Sequence, residues 1–143
     1  MDIFQLLKKD HQEAKQLFKR IESGKGDKMN LFSELRQELM IHMEGEEKLF
    51  YPVLKKNDQT KDITEEGIQE HKEAKKIIKE MQSSKKADEQ WDSKLHELRE
   101  AIEHHIDEEE HELFEKAKNI LGREQSAEIA QQFQQEKQQR MAK

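Results

Sequence analysis

Apolar residues recur at helical spacing along almost the whole chain. Phe4, Leu7, Ala14 and Phe18 share one stripe, which predicts a first helix from about Asp2 to Glu22. Ser23-Gly24-Lys25-Gly26-Asp27 reads as a turn. A second helix follows from about Lys28 to Lys55, with Leu31, Leu35, Leu39, Leu49 and Val53 as its stripe. Pro52 is expected to bend its last turn or to end it near Tyr51. After a polar loop from Lys55 to Ile63, Thr64 is the expected N-cap of a third helix running to about Gln82, with Ile68, Ala74, Ile78 and Met81 inward. A loop at Ser83-Ser84-Lys85-Lys86 precedes a fourth helix from about Asp88 to Leu121, stopped by Gly122. Its stripe is Leu95, Leu98, Ile102, Leu113, Ala117 and Ile120. A short fifth helix, Ser126 to about Arg140, carries Ile129 and Phe133 and is expected to lie outside the bundle or to fray.

Short loops force neighbouring helices antiparallel. The expected fold is all-α: an up-down-up-down antiparallel four-helix bundle over residues 1–121, with a short extra C-terminal helix in a tail over residues 122–143. An internal repeat supports two successive hairpins, since His11-Gln12-Glu13-Ala14-Lys15 matches His71-Lys72-Glu73-Ala74-Lys75.

Polar residues interrupt these stripes at chosen places. His11, His42, His71 and His105 each fall within the apolar stripe of their own helix, as do Glu46 and Glu109. Positions i and i+4 lie on one helix face about 6 Å apart, so His42 with Glu46 and His105 with Glu109 can reach one centre. Spacing alone carries little weight, because five of the seven histidines have an acidic residue at i+4. Facing is the discriminator: at about 100° per residue, His96, His104 and His111 turn away from the stripe and read as solvated. Level agrees as well, because His11 and His42 lie about 17 Å and about 20 Å along their helices from the shared turn.

A single inward histidine is ordinarily a hydrogen-bonded core residue. One on each of four helices, together with two carboxylates, is harder to explain that way, because an unpaired buried charge costs several kcal/mol. A bound cation removes the difficulty. Imidazole and carboxylate together suit iron, manganese or zinc. Four imidazoles and two carboxylates can hold two ions, with His11 and His42 on one, His71 and His105 on the other, and Glu46 and Glu109 bridging. Positions would remain for water, O₂ or peroxide.

Composition narrows the classes. Charged residues make up 41% of the chain and apolar ones 32%, enough for thin amphipathic helices only. The net charge of −6 leaves no basic excess to neutralise phosphates, so nucleic acid is not an expected partner. The absence of cysteine excludes disulfides, thiolate nucleophiles and zinc-thiolate sites. No window approaches the roughly 20 apolar residues of a membrane span, and Met1-Asp2-Ile3-Phe4 does not open a secretory signal, so a cytoplasmic location without a membrane is expected.

The ligand pattern resembles the hemerythrin-like, or HHE cation-binding, family over nearly all of residues 1–121. The resemblance rests on His11, the His-x3-Glu of His42 and Glu46, His71, and the His-x3-Glu of His105 and Glu109. The Glu46-Glu47-Lys48-Leu49-Phe50-Tyr51-Pro52 and Glu109-Glu110-x-x-Leu113-Phe114 endings add to it. It implies two iron ions joined by an oxo or hydroxo bridge, in preference to manganese or zinc. The implied ligand is O₂, nitric oxide or peroxide; an iron sensor or store, or an enzyme consuming peroxide or nitric oxide, is the alternative. A metal-free helical scaffold is the bland reading. One departure stands out: oxygen carriers in the family have a second histidine four residues after the first on the third helix, and here that position is Lys75. It argues against reversible O₂ carriage. Those carriers also use a five-residue step on the fourth helix, which points to Glu110; Glu109 is preferred because it lies nearer the stripe's centre.

Overall fold

The computed structural model describes residues 1–142. Helix α1 (Ile3–Glu22) begins in a capping box in which the Asp2 carboxylate accepts from the Gln5 backbone N–H and the Gln5 side chain accepts from that of Asp2. Helix α2 (Lys28–Gly45) starts at Asp27, whose carboxylate accepts from Met29 and Asn30. It passes through a π turn (Glu46–Phe50) into α3 (Tyr51–Lys55), so one rod covers the second predicted helix. Helix α4 (Lys61–Gln82) is followed by α5 (Glu89–Glu108), capped by Asp88 on the Trp91 N–H. A second π turn (Glu109–Leu113) leads into α6 (Phe114–Lys118), and α7 (Arg123–Met141) closes the chain.

α1 packs on α2 and α4 on α5, and contacts of α1 with α5 and of α2 with α4 close the ring. The result is the expected all-α antiparallel bundle. No helix among the described residues is long and apolar enough to cross a membrane.

The two π turns correct the predicted stripes. An α-helix advances about 100° per residue, and one extra residue in a turn shifts everything after it by one position. Beyond Glu46 the fully buried residues are therefore Phe50, Tyr51 and Leu54, while Leu49 and Val53 only pack against that cluster from its edge. Beyond Glu109 the inward set is Leu113, Phe114, Ala117 and Leu121, and Ile120 stands in the turn after α6. Pro52 neither ends nor breaks the rod. It occupies the first turn of α3, directly after the widened turn, where its missing N–H costs no α-helical bond. Thr64 is not a cap: α4 begins a turn earlier, and the buried Thr64 hydroxyl donates to the Thr60 carbonyl at 2.6 Å.

Two apolar clusters fill the bundle. One, around Phe18, Leu35, Ile78, Trp91 and Leu98, lies toward the α1–α2 turn. The other, around Phe4, Leu7, Phe50, Phe114 and Phe133, lies toward the opposite end. The inward histidines and glutamates occupy the layer between them. Helix α7 lies on the bundle without fraying and packs on α1, α2 and the first π turn. Ile129, Ala130 and Phe133 are buried, with Phe133 against Gly45, where even a Cβ would come within 2.7 Å of the ring. Lys137 pairs with Asp10, Arg140 with Glu44 and Lys48 with Glu136 along its length. Phe133→Ala is expected to cost about 3–5 kcal/mol, read as a fall in the urea midpoint. A loss below about 1 kcal/mol would mean that α7 is not part of the cooperative core.

Candidate metal centre

All six inward residues meet in one layer. His11, His42, Glu46, His71, His105 and Glu109 are each no more than 7% exposed. The rings form two pairs, His11 with His42 at 5.0 Å between centroids and His71 with His105 at 4.6 Å. The carboxylates link the pairs. Glu46 Oε1 is 3.1 Å from His42 Nε2 and 3.3 Å from His71 Nε2. Glu109 places Oε1 3.2 Å from His11 Nε2 and Oε2 3.3 Å from His105 Nε2. Two groups of ligand atoms, from His11, His42 and Glu109 and from Glu46, His71 and His105, each converge within 4.8 Å.

Each imidazole is held from behind. His11 Nδ1 lies 2.6 Å from Glu110 Oε2, and His42 Nδ1 lies 3.0 Å from Asp10 Oδ2. His71 Nδ1 is 2.7 Å from Glu47 Oε2, and His105 Nδ1 is 2.7 Å from Glu70 Oε1. An ionised carboxylate only accepts, so Nδ1 donates and the Nε2 atoms face the centre. This is the carboxylate–histidine arrangement that fixes ring orientation around a metal. Asp10, Glu47, Glu70 and Glu110 are chain neighbours of His11, Glu46, His71 and Glu109, yet each serves a histidine on another helix. Sequence reading missed Asp10, Glu47 and Glu70, and weighed Glu110 only as an alternative ligand to Glu109. Their signal was adjacency to an inward residue, but the partner could not be read from it.

Glu110 is thus an outer partner of His11, and Glu109 is the inner carboxylate. Lys75 does not enter the centre. Its Nζ donates to both oxygens of Glu47 at 3.0 Å, bracing the group that orients His71. Lys137 braces Asp10 in the same way at 2.7 Å. The side chains of His96, His104 and His111 are 69%, 64% and 73% exposed, so facing separates them from the inward four.

Tyr51 was missed as well. The first π turn swings it inward, and its fully buried hydroxyl donates to Glu109 Oε2 at 2.6 Å. The same oxygen stands 3.3 Å from His105 Nε2 and 3.4 Å from His71 Nε2. Gly67 permits this approach, because a Cβ there would stand 3.3 Å from the Tyr51 hydroxyl and 3.4 Å from His105 Cε1.

The donor set fits a cation. Among the described residues, the buried side-chain atoms without a hydrogen-bond partner are His11 Nε2, His42 Nε2, both Glu46 oxygens and Glu109 Oε1, with Trp91 Nε1 at the far end of the bundle. Orphaned polar atoms concentrated at one point are costly unless an ion takes them. Their spacing of 3.1–3.3 Å matches neighbouring ligand atoms around an ion with bonds of about 2.0–2.2 Å.

Charge is strongly coupled here. Burial pushes the His105 imidazole down, but Glu109 and Glu70 outweigh it and raise its pKa to about 10. His42 is likewise raised well above its usual value, burial being overcome by Glu46 and Asp10. Burial would push Glu109 up, yet the imidazoles of His105 and His11 hold it well below the carboxylate range. Burial and the Glu109 charge raise the Tyr51 phenol, keeping it a donor.

Residues 2–117 match the family model described as the hemerythrin HHE cation binding domain. The chain belongs to that family. Within this HHE domain, a His/Glu centre between four antiparallel helices is a cation-binding arrangement. A curated relative, a DNA nickase from Nostoc sp., is 25% identical over 135 residues, covering 93% of this chain and 38% of its own length. The chain therefore spans well under half of that relative. No solved structure matches the chain.

Proposed function

We propose that this HHE domain is a cytoplasmic non-haem di-iron protein that handles O₂, nitric oxide or peroxide. His11, His42, Glu46, His71, His105 and Glu109 are the ligands in this reading. The observation that carries it is the double shell: each inward imidazole presents Nε2 to a common point and anchors Nδ1 on a carboxylate. Nitrogen-rich donors with two carboxylates favour iron over the oxygen-preferring magnesium, calcium and manganese. An iron pair supplies electrons and open positions for a small oxidant or nitric oxide.

The chain's own residues set the conditions. Glu46 and Glu109 each touch one histidine of each pair, so either carboxylate would be within reach of an ion held by either pair. Tyr51 holds a proton at Oη beside Glu109 and can donate it to a small ligand in place of that carboxylate. A cavity of about 30 Å³ beside His11, His42 and His105 is walled by Ala14, Leu39, Met43, Ile102 and Ile106. It has space for one or two water-sized molecules, so bulky substrates are excluded. With Lys75 outside the centre, four imidazoles surround it, which favours peroxide or nitric oxide chemistry over stable O₂ carriage.

Metal-free, untagged protein reconstituted with iron(II) and then exposed to air is expected to hold two iron ions in the interior of each chain and to show the near-ultraviolet absorption of a diferric centre. His42→Ala is expected to lose that absorption and at least one ion. Retention of both ions by His42→Ala, or no iron uptake by the unmodified chain, overturns the assignment. Peroxide loss at equal rates in the two proteins would leave binding without turnover.

A further inference from the structure

Outside the buried centre, the facing surfaces of α4 and α5 bring a second group of metal-binding side chains together. His104 Nε2 lies 3.2 Å from Glu108 Oε1 on its own helix and 3.4 Å from Glu70 Oε2 across the interface. The three ligand atoms converge within 4.8 Å. Such separations are those of neighbouring ligands around an ion with bonds of about 2.0–2.2 Å.

This group differs from the other surface histidine pairs. His96 meets only Glu100, and His111 only Asp107, each one turn away on its own helix, and those carboxylates are 72% and 75% exposed. Those are ordinary solvated contacts. His104 faces two carboxylates from two helices, with side chains only 16% and 24% exposed. No lysine or arginine pairs with Glu70 or Glu108 among the described residues. Glu70 is also fixed in place, because its other oxygen accepts from His105 Nδ1 at 2.7 Å. Among those residues, the only cationic partners of these two carboxylates are imidazoles, His105 behind Glu70 and His104 between the pair, and a divalent ion would add positive charge on the outer side with water completing its shell.

The location suggests a purpose. A small cavity of about 10 Å³ lies beside Glu70 and Glu108 and is lined also by His105, Glu109, Gly67, Ile63 and Leu113. At Gly67 the missing side chain leaves room for the Tyr51 hydroxyl and the His105 ring, which a Cβ would approach to 3.3 and 3.4 Å. Glu70 touches His104 outside and the ligand His105 inside.

We propose that Glu70, His104 and Glu108 form a surface site for a divalent transition-metal ion, from which the ion is delivered to the buried centre. The site itself stands on this geometry; its delivery role rests on the di-iron reading of the interior. An ion held there has already exchanged part of its hydration shell for carboxylate and imidazole. Glu108 and the inner Glu109 line the same small cavity, so movement of the Glu108 carboxylate would carry the ion toward Glu109 while Glu70 stays on His105.

The test is anaerobic titration of the metal-free protein with Co²⁺, which binds without redox change and reports its coordination by visible absorption. Ion content is read by equilibrium dialysis. His104→Ala is expected to bind one Co²⁺ fewer than the unmodified chain, and to fill its interior more slowly at sub-stoichiometric metal. His96→Ala, which breaks a similar pair without a cross-helix ligand, is expected to match the unmodified chain in both respects. Equal ion content in His104→Ala and the unmodified chain overturns the surface site. Loss of one ion with an unchanged interior loading rate overturns the delivery role. If the interior binds no metal, His104→Ala retains no ion while the unmodified chain retains one; that outcome upholds the site, removes delivery, and is distinct from failure of the site itself.

Discussion

Anaerobic iron(II) is expected to raise the melting temperature of the metal-free protein by roughly 10 °C or more, and the gain should widen from pH 6.5 to pH 9. The size follows from linkage: an ion present at about 1,000 times its Kd stabilises the folded chain by about 4 kcal/mol. For a domain near this length each kcal/mol is worth roughly 2–4 °C. The pH dependence has one source, the proton held by the metal-free centre. In the metal-free state His105, with its pKa raised to about 10, is charged at neutral pH. The ion must displace that proton, so binding tightens about tenfold per pH unit below that pKa for each proton released. That same raised imidazole stabilises the metal-free fold. That contribution is fully present below the unfolded-state value near 6.5 and is lost as pH rises toward 10. Glu109 acts at the other end. Its depressed carboxyl contributes stability above the ordinary value of 4.5, lost as pH falls through the lower folded value. Melting curves with and without metal at several pH values, with indicator-dye detection of released protons, check this. A gap that narrows with rising pH, or loading without proton release, would show that the imidazoles are not charged in the metal-free centre.

Glu46 and Glu47 are adjacent in the chain, yet their removal is expected to have different consequences. Glu46 is fully buried and both its oxygens lack hydrogen bonds in the metal-free fold. It faces His42 and His71 at 3.1 and 3.3 Å. Glu46→Ala is expected to abolish binding of at least one interior ion. It also removes the buried counter-charge of His42, a break worth about 3–5 kcal/mol in the metal-free protein. Glu47 has a side chain 30% exposed and touches His71 through Nδ1 only. Glu47→Ala should cost the fold no more than about 1 kcal/mol, while weakening metal binding about 10–100-fold by freeing the His71 ring. Urea unfolding gives the first quantity and competition with a chelator the second. Similar losses for the two variants in both measurements would contradict the assignment of Glu46 to the centre and Glu47 to its support.

The placement of the six inward residues was legible because both signals involved are local. Apolar spacing located the helix faces, and polar residues on those faces stood out against it. The fifth helix was the weakest reading, since Ile129 and Phe133 alone marked its inward side. The structure adds Ala130 and shows Phe133 seated on Gly45, a contact between residues far apart in the chain. The stripes after Glu46 and Glu109 were misread for one reason: a constant 100° advance was carried through turns that hold an extra residue. Nothing in Glu46-Glu47-Lys48-Leu49-Phe50 announces a π turn, whose cost is met by burying Phe50, Tyr51 and Leu54 together. Tyr51 reaches the centre only through that turn.

From the sequence alone came the helices, their antiparallel order, and the four histidines and two glutamates aimed inward, because helical periodicity and short loops act between residues close in the chain. Tertiary structure alone decided which outer carboxylate orients which imidazole, that Lys75 braces Glu47, and that Tyr51 joins the centre. Those pairings cross between helices, and hydrogen bonds of 2.6–3.0 Å depend on helix rotation and height to within an ångström. Spacing along one helix specifies neither.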